Sequence, residues 1–141
     1  MDCPFSQTGS EHVWIPVAAA LIQREGRYLL SQRHGNSHLG GLWEFPGGKQ
    51  EAGESLEQCL RRELLEELGI EIGVPELVFT QRYLYLDRAV ELFFFSCSIL
   101  QGEPRPLGCA AVRWVRPDDF HLYEFPPADA AILDKIIQGH E

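Results

Sequence analysis

The sequence predicts a protein of the α/β (α+β) class, an α/β/α sandwich around a mixed sheet. Strand-like and helix-like segments are interspersed along the 141 residues. Neighbouring strands are joined by hairpins, without the regular helical crossovers of a βαβ fold. A chain of this length suits one domain, which we assign to residues 12–141. Residues 1–11 are expected to form a flexible N-terminal tail.

Three strands are predicted before residue 50, each bounded by turn-forming residues. They span residues 13–22, 27–33 and 42–45. The turn Arg24-Glu25-Gly26 joins the first two, and residues 34–41 form a loop by composition. The third strand is expected to end at the turn that contains Gly47 and Gly48.

A helix is predicted over residues 55–68, because its leucines repeat along one stripe. Ser55 with Gln58 three residues later fits a capping box, and Gly69 fits a helix stop. The later elements are a hairpin, a strand and a closing helix, at residues 76–86 with 89–100, 110–115 and 126–138.

Composition excludes several classes of function. The net charge of −9 argues against duplex nucleic acid as the main partner, because phosphate backbones need a basic surface. The segment MDCPFSQTGS lacks the features of a signal peptide, and no apolar run reaches the ~20 residues of a membrane helix. Four cysteines without metal-ligand spacing indicate reduced thiols. We therefore expect a cytoplasmic protein without membrane contact, as a monomer or homodimer.

Three carboxylates share one face of the predicted helix. Glu63, Glu66 and Glu67 lie at i, i+3 and i+4, where like charges repel each other. A solvated acidic face is one explanation. A hard divalent cation such as Mg²⁺, which prefers oxygen ligands, is the other. Gly47 and Gly48 upstream favour the cation, because glycines allow the backbone to approach a ligand closely.

Residues 48–70, GKQEAGESLEQCLRRELLEELGI, resemble the Nudix box, G-x5-E-x7-R-E-U-x-E-E-x-G-U with U a bulky aliphatic residue. All fixed positions match. The resemblance implies the Nudix fold and a hydrolase that requires Mg²⁺, with Mn²⁺ as a substitute. Its substrates are nucleoside diphosphates linked to another group. The segments LWEFPGGK, YLYLDR and EFPPAD are similar to those of MutT-like nucleoside triphosphate pyrophosphohydrolases.

The resemblance also implies roles for individual residues. Glu63 is the expected base that activates water, whereas Glu66 and Glu67 bind the metal ion together with the carbonyl oxygen of Gly47. Glu63 also belongs to the expected metal ligands. Glu54 is expected to pair with Arg62 and hold the loop against the helix. The expected substrate-binding residues are Arg33, Phe45, Gly48, Lys49, Tyr85, Arg88 and Asp129.

Asp129 departs from the asparagine that MutT-like proteins selective for 8-oxoguanine often carry. An ionised aspartate only accepts hydrogen bonds, so it would suit the N1–H and N2–H₂ edge of guanine. A protonated aspartate in a buried pocket would also donate. A third possibility is that Asp129 complements the dipole of the closing helix. Some related proteins with aspartate here are broader in base choice and include cytidine nucleotides.

A second departure lies in the loop before residue 110. Related enzymes often carry a glutamate or histidine there, but this chain has Gly108 and Cys109. Catalysis is therefore expected to rest on the helix glutamates alone. His34, His38 and His121 show no ligand spacing and are interpreted as loop residues.

Three functions follow from these features. The first is cleavage of (d)NTPs, such as 8-oxo-dGTP, to a monophosphate and pyrophosphate. The second is a different Nudix substrate, either an RNA 5′-triphosphate end or CTP and dCTP. The third is a non-catalytic module that recognises 8-oxoguanine, which the intact set of glutamates disfavours.

Overall fold

A four-stranded mixed sheet forms the centre of the computed structural model, which describes residues 12–139. Its strands, in spatial order, are β5 (Gly47–Lys49), β1 (Trp14–Leu21), β8 (Ala89–Ser96) and β7 (Glu76–Leu84). Strand β1 runs parallel to β8, and the other two pairings are antiparallel. The predicted tail at residues 1–11 lies outside the described residues.

Smaller sheets flank this centre. Strand β3 (Arg27–Gln32) pairs with its neighbours on both edges, and a separate two-stranded pair is antiparallel. The partners of β3 are β2 (Gln23–Arg24), β4 (Trp43–Glu44) and β10 (Ala111–Val115), and the separate pair is β6 (Glu71–Ile72) with β9 (Ile99–Gln101).

Helices cover both faces of the central sheet. Helix α1 (Leu56–Leu68) packs on one face and helix α2 (Ala130–Gly139) on the other. Alternate residues of β1 reach opposite cores, because side chains of a strand point to alternate faces. Ala18 and Ala20 pack in the core that contains Leu60, whereas Ala19 packs with Ile132. The predicted α/β/α sandwich around a mixed sheet is confirmed.

The local signals for helix α1 are also confirmed. Ser55 accepts a hydrogen bond from the Gln58 backbone N–H, and the Gln58 side chain accepts one from the Ser55 N–H. Gly69 adopts a left-handed conformation with φ of 72° and ends the helix. These bonds satisfy backbone groups that a helix end otherwise leaves unpaired.

Other boundaries differ from the sequence prediction. The turn expected at Gly47 and Gly48 is instead strand β5, where any side chain on Gly47 would collide with the Ala18 carbonyl group. The strand predicted to run to residue 100 stops at Ser96, because residues 99–101 pair with β6 instead. The closing helix starts as a 3₁₀ turn, Pro127–Asp129, that follows Pro126. A further 3₁₀ helix, Pro117–Leu122, was not predicted.

Candidate active site

Arg62 ties the loop before helix α1 to the helix itself. Its guanidinium contacts Glu54 at 2.7 and 3.0 Å and donates to the Lys49 carbonyl at 3.1 Å. It also contacts Glu63 at 3.0 Å and Glu66 at 3.3 Å. The hydrogen bonds from Arg62 and from the Glu51 backbone lower the pKa of Glu54 to about 2. The expected ion pair between Glu54 and Arg62 is therefore present in the structure.

Glu63 and Glu67 are brought into direct contact. They lie four residues apart on α1, and the Glu67 carboxyl group hydrogen-bonds that of Glu63. Burial, followed by the negative charge of Glu63, raises the pKa of Glu67 well above its usual range. The Glu63 carboxylate also lies against Gly48, where any Cβ atom would overlap it. A glycine is therefore needed at position 48 to leave room for the carboxylate.

This pair of carboxyl groups fits a hard divalent cation. Carboxylate oxygens are preferred ligands of Mg²⁺, and a cation relieves the repulsion that raises the pKa of Glu67. Glu66 is more exposed and points towards Arg62. Within residues 12–139, no three acidic, histidine or cysteine side chains converge as a complete metal-binding cluster. Glu63 and Glu67 are neighbouring carboxyl groups whose chemistry suits a cation, and the metal-binding roles of Glu63, Glu66, Glu67 and the Gly47 carbonyl group all stay predictions.

A pocket of about 730 Å³, counting the open space at its mouth, is lined by Glu44 and Arg33, whose charges act on the carboxylate pair. Its walls are mostly apolar and come from β1, β8 and the segments around Phe45 and Ala128. Ligand pockets commonly combine apolar walls with a few polar groups. Three cationic side chains line this one, from Arg33, Lys49 and Arg88. Its other polar side chains are His38, Glu44, Tyr85 and Asp129.

The structure brings together six of the seven residues predicted to bind substrate. Arg33, Phe45, Lys49, Tyr85, Arg88 and Asp129 all line the pocket. The seventh, Gly48, lies beside the Glu63 carboxylate. Phe45 is only 3% exposed and packs mainly in the core, against Phe94 and Phe120. It therefore forms part of the pocket wall while it also stabilises the fold.

Asp129 is a buried polar residue in the lining of the pocket. Its exposed fraction is 6%, and the adjacent Ala128 N–H donates to the Tyr85 hydroxyl group at 3.4 Å. Burial, with a smaller contribution from the charge of Glu44, raises the pKa of Asp129 from 3.8 to about 8. At neutral pH the side chain is therefore mainly protonated and can both donate and accept.

Glu44 was missed by the sequence analysis. Arg33 donates to it at 3.2 Å and to the His38 carbonyl group at 2.7 Å. Burial raises the pKa of Glu44, and Arg33 opposes that shift. The sequence offers one signal for Glu44: it is a charged residue flanked by two large aromatic residues, Trp43 and Phe45, in a short predicted strand. The charge of Glu44 acts on both Asp129 and Glu67.

His38 was interpreted as a loop residue, but its side chain lines the pocket. Nothing in the ligand spacing of the sequence indicates this placement.

The loop that contains Gly108 packs against the backbone of helix α1 at Glu67. The Leu107 and Gly108 N–H groups both donate to the Glu67 carbonyl at 3.0 Å, and a Cβ atom on Gly108 would lie 3.1 Å from the Cα of Glu67.

Comparison with known proteins agrees with this arrangement. A family model described as the NUDIX domain matches residues 17–135. The CTP pyrophosphohydrolase of Escherichia coli K12 is 40% identical over 87% of this chain and 91% of the relative. The 8-oxo-dGTP diphosphatase of Haemophilus influenzae is 36% identical over 87% of this chain and 91% of the relative. The MutT protein from Methanosarcina mazei Go1 superposes with a TM-score of 0.81 at 25% identity, covering 93% and 98% of the two chains.

The fold, the carboxylate pair and these similarities define a hydrolase of phosphoric anhydride bonds. The chain belongs to the NUDIX domain family, among its MutT-like members. Among the described residues, no helix is long and apolar enough to cross a membrane.

Proposed function

We propose that this protein hydrolyses (d)NTPs, such as 8-oxo-dGTP, to a nucleoside monophosphate and pyrophosphate with Mg²⁺, which Mn²⁺ can replace. One observation carries the proposal. One pocket holds a buried hydrogen-bonding residue, Asp129, together with three cationic side chains, and two of its lining residues, Glu44 and Arg33, act electrostatically on the carboxylate pair Glu63 and Glu67. A nucleotide needs both environments, since its base is flat and weakly polar whereas its phosphates are anionic.

The cationic side chains of the pocket hold the triphosphate of the substrate for attack by water. Arg33 and Lys49 neutralise charge on the phosphate oxygens, which stabilises the transition state of phosphoryl transfer. Glu63, oriented by Arg62, accepts the proton of the attacking water. The water oxygen forms a bond to one of the two phosphorus atoms, α or β, as the bond from that atom to the bridging oxygen breaks. The bridging oxygen leaves with the other phosphate, so one water yields the monophosphate and pyrophosphate. A bound divalent cation would supply further charge neutralisation and acidify the water.

Asp129 can recognise a base that presents a hydrogen-bond donor beside an acceptor. A protonated Asp129 donates through its O–H and accepts through its carbonyl oxygen. The N7–H and O6 of 8-oxoguanine complement this pair, whereas the same edge of guanine carries two acceptors. Cytosine offers N4–H₂ beside N3 and fits as well. This chemistry, with the similarity to a CTP pyrophosphohydrolase, makes CTP and dCTP the second candidate substrates.

The alternative of an RNA 5′ end has less support. It would need a basic path for the strand outside the pocket. Two of the arginines available for such a path are paired, Arg24 with Glu103 at 2.9 Å and Arg82 with Glu91 at 3.3 Å. A non-catalytic module has no support from the carboxylate pair, because base recognition alone does not require it.

Hydrolysis of a nucleotide panel tests the proposed function. The panel contains 8-oxo-dGTP, dGTP, dCTP, CTP and a 5′-triphosphorylated RNA, each with Mg²⁺ and with Mn²⁺. We expect turnover of free triphosphates, with monophosphate and pyrophosphate as the products. Activity on the RNA alone, or release of single inorganic phosphates, would contradict the proposal.

Metal binding should stabilise the folded protein. A ligand that binds only the native state at about 100 times its Kd adds about 2.7 kcal/mol to the free energy of unfolding. We expect millimolar Mg²⁺ to raise the Tm, and the double change Glu66→Ala with Glu67→Ala to abolish the rise. Glu57→Ala is the matched control, because Glu57 lies on α1 but pairs with Arg61. A rise that survives in the double variant would exclude this metal site.

A further inference from the structure

The loop at residues 34–41 contributes two residues, His38 and Leu39, to the lining of the pocket. The Gly41 N–H donates to the Arg33 carbonyl at 3.0 Å, and the Arg33 side chain donates to the His38 carbonyl at 2.7 Å. Gly40 packs so closely on the carbonyl groups of His34 and Gly35 that a Cβ atom would overlap them. Backbone bonds therefore fix where the His38 ring lies.

The Nε2 atom of His38 is a buried polar atom without a hydrogen-bond partner among the described residues. The ring meets Tyr85 edge-on, with centroids 5.7 Å apart, and its Nδ1 lies 3.9 Å from a carboxylate oxygen of Asp87. Buried polar atoms are nearly always hydrogen-bonded in native proteins. A ligand in the pocket would supply the missing partner.

The charges around His38 indicate what that ligand is. Burial and the positive charges of Arg88, Arg33 and Lys49 lower the pKa of His38, and Asp87 opposes them. The imidazole is therefore neutral in the free protein at neutral pH. An anion that enters among these cations would reverse the balance and favour protonation of the ring.

We propose that His38 is a phosphate-binding residue, whose Nε2–H donates to the phosphate chain of the nucleotide while its Nδ1–H faces Asp87. The inference rests on the proposed function and adds a residue to it. Because a neutral imidazole carries only one N–H, this arrangement requires the ring to take up a proton as the nucleotide binds. Through His38, the loop at residues 34–41 contacts the anionic phosphates of the substrate.

Variants of His38 test the contact. In His38→Phe we expect kcat/KM to fall about 10- to 100-fold, the value of a hydrogen bond to a charged group. The fall should be equal for 8-oxo-dGTP, dGTP, dCTP and CTP, because every substrate carries the same phosphates. His38→Gln keeps an amide donor near the position of Nε2 and should recover most of the loss. His34→Phe is the matched control, since His34 is exposed in the same loop and does not line the pocket.

Calorimetry tests the proton. An α,β-imido nucleoside triphosphate resists hydrolysis, and its binding heat in buffers of different ionisation enthalpy reports proton uptake. At pH 7 we expect the wild-type protein and His34→Phe to take up the same number of protons, and His38→Gln to take up fewer, by at most one proton; an equal uptake in all three would overturn the protonation of His38. This measurement decides the matter even where His38→Phe does not fold.

The outcomes separate this inference from the proposed function. An active wild-type protein whose His38→Phe variant stays within about two-fold of it would overturn the phosphate contact. A changed ranking of bases would also overturn it, because His38 would then read the base. If the wild-type protein hydrolyses no nucleoside triphosphate, the proposed function fails and this inference fails with it.

Discussion

Glu63→Gln should remove nearly all turnover and leave the fold intact. The change keeps the size of the side chain but deletes its charge and its basicity. Loss of a general base typically lowers the rate about 10²–10⁴-fold. The amide oxygen of the substituted side chain can still accept from Arg62, whose bonds to Glu54 are untouched. Without metal, the Tm should hold or rise, because the repulsion between Glu63 and Glu67 is removed.

Comparison with two further variants makes this test specific. Single-turnover rates, circular dichroism and thermal melts are measured for Glu63→Gln, Glu67→Gln and Glu57→Gln. The last is the control on the exposed side of the same helix. If Glu63→Gln stays within a few-fold of wild type while Glu67→Gln loses turnover, Glu67 accepts the proton instead. Loss in both with retained metal-dependent Tm shifts would leave the two carboxyl groups acting as a unit.

The sequence predicted helix α1 and its carboxylates well, because the signals were local. The capping box, the Gly69 stop and the i, i+4 spacing of Glu63 and Glu67 all lie within 15 residues. Such contacts follow from helical geometry alone. The ion pair between Glu54 and Arg62 spans eight residues and came from the resemblance to the Nudix box.

The rest of the site depends on pairings that are distant in the chain. The parallel alignment of β1 with β8 joins residues 14–21 to 89–96, and no local pattern reports it. That alignment brings residues of β1 and β8 together in the pocket wall, whereas Glu44 is placed by the pairing of β4 with β3 and His38 by the loop at 34–41. Both residues were missed because each stands in a short segment with no periodicity to interpret. The pKa of Asp129 likewise depends on burial, which its sequence neighbours do not reveal.

The preference of the protein among bases should change with pH at Asp129. Its pKa near 8 in the folded protein means that it donates and accepts below that pH and only accepts above it. We expect the ratio of kcat/KM for 8-oxo-dGTP over dGTP to fall as the pH rises through 8. The largest change should be about 10- to 100-fold, since buried polar groups that lose their partners discriminate strongly.

Asp129→Asn removes the titration while it keeps a donor beside an acceptor. Its base preference should match that of the wild-type protein at pH 7 and stay constant to pH 9. Asp129→Ala should flatten the preference at every pH, mainly through KM, because it removes both hydrogen-bonding groups. The metal-dependent rise in Tm should survive in both variants, since Glu63 and Glu67 do not line the pocket that contains Asp129, and Asp129 is not among the groups that shift the pKa of Glu67.

The free energy of unfolding should also depend on pH through the titration of Asp129. Between pH 4 and 8 the folded state holds a proton on Asp129 that the unfolded state has released, given pKa values of about 8 and 3.8. The contribution of this group to the free energy of unfolding therefore falls as the pH rises through that window. Asp129→Asn should flatten this part of the curve of Tm against pH. A simple helix-dipole role would instead give a uniform loss of ~0.3–1 kcal/mol with the ranking of 8-oxo-dGTP, dGTP, dCTP and CTP unchanged, and that result would remove Asp129 from base recognition.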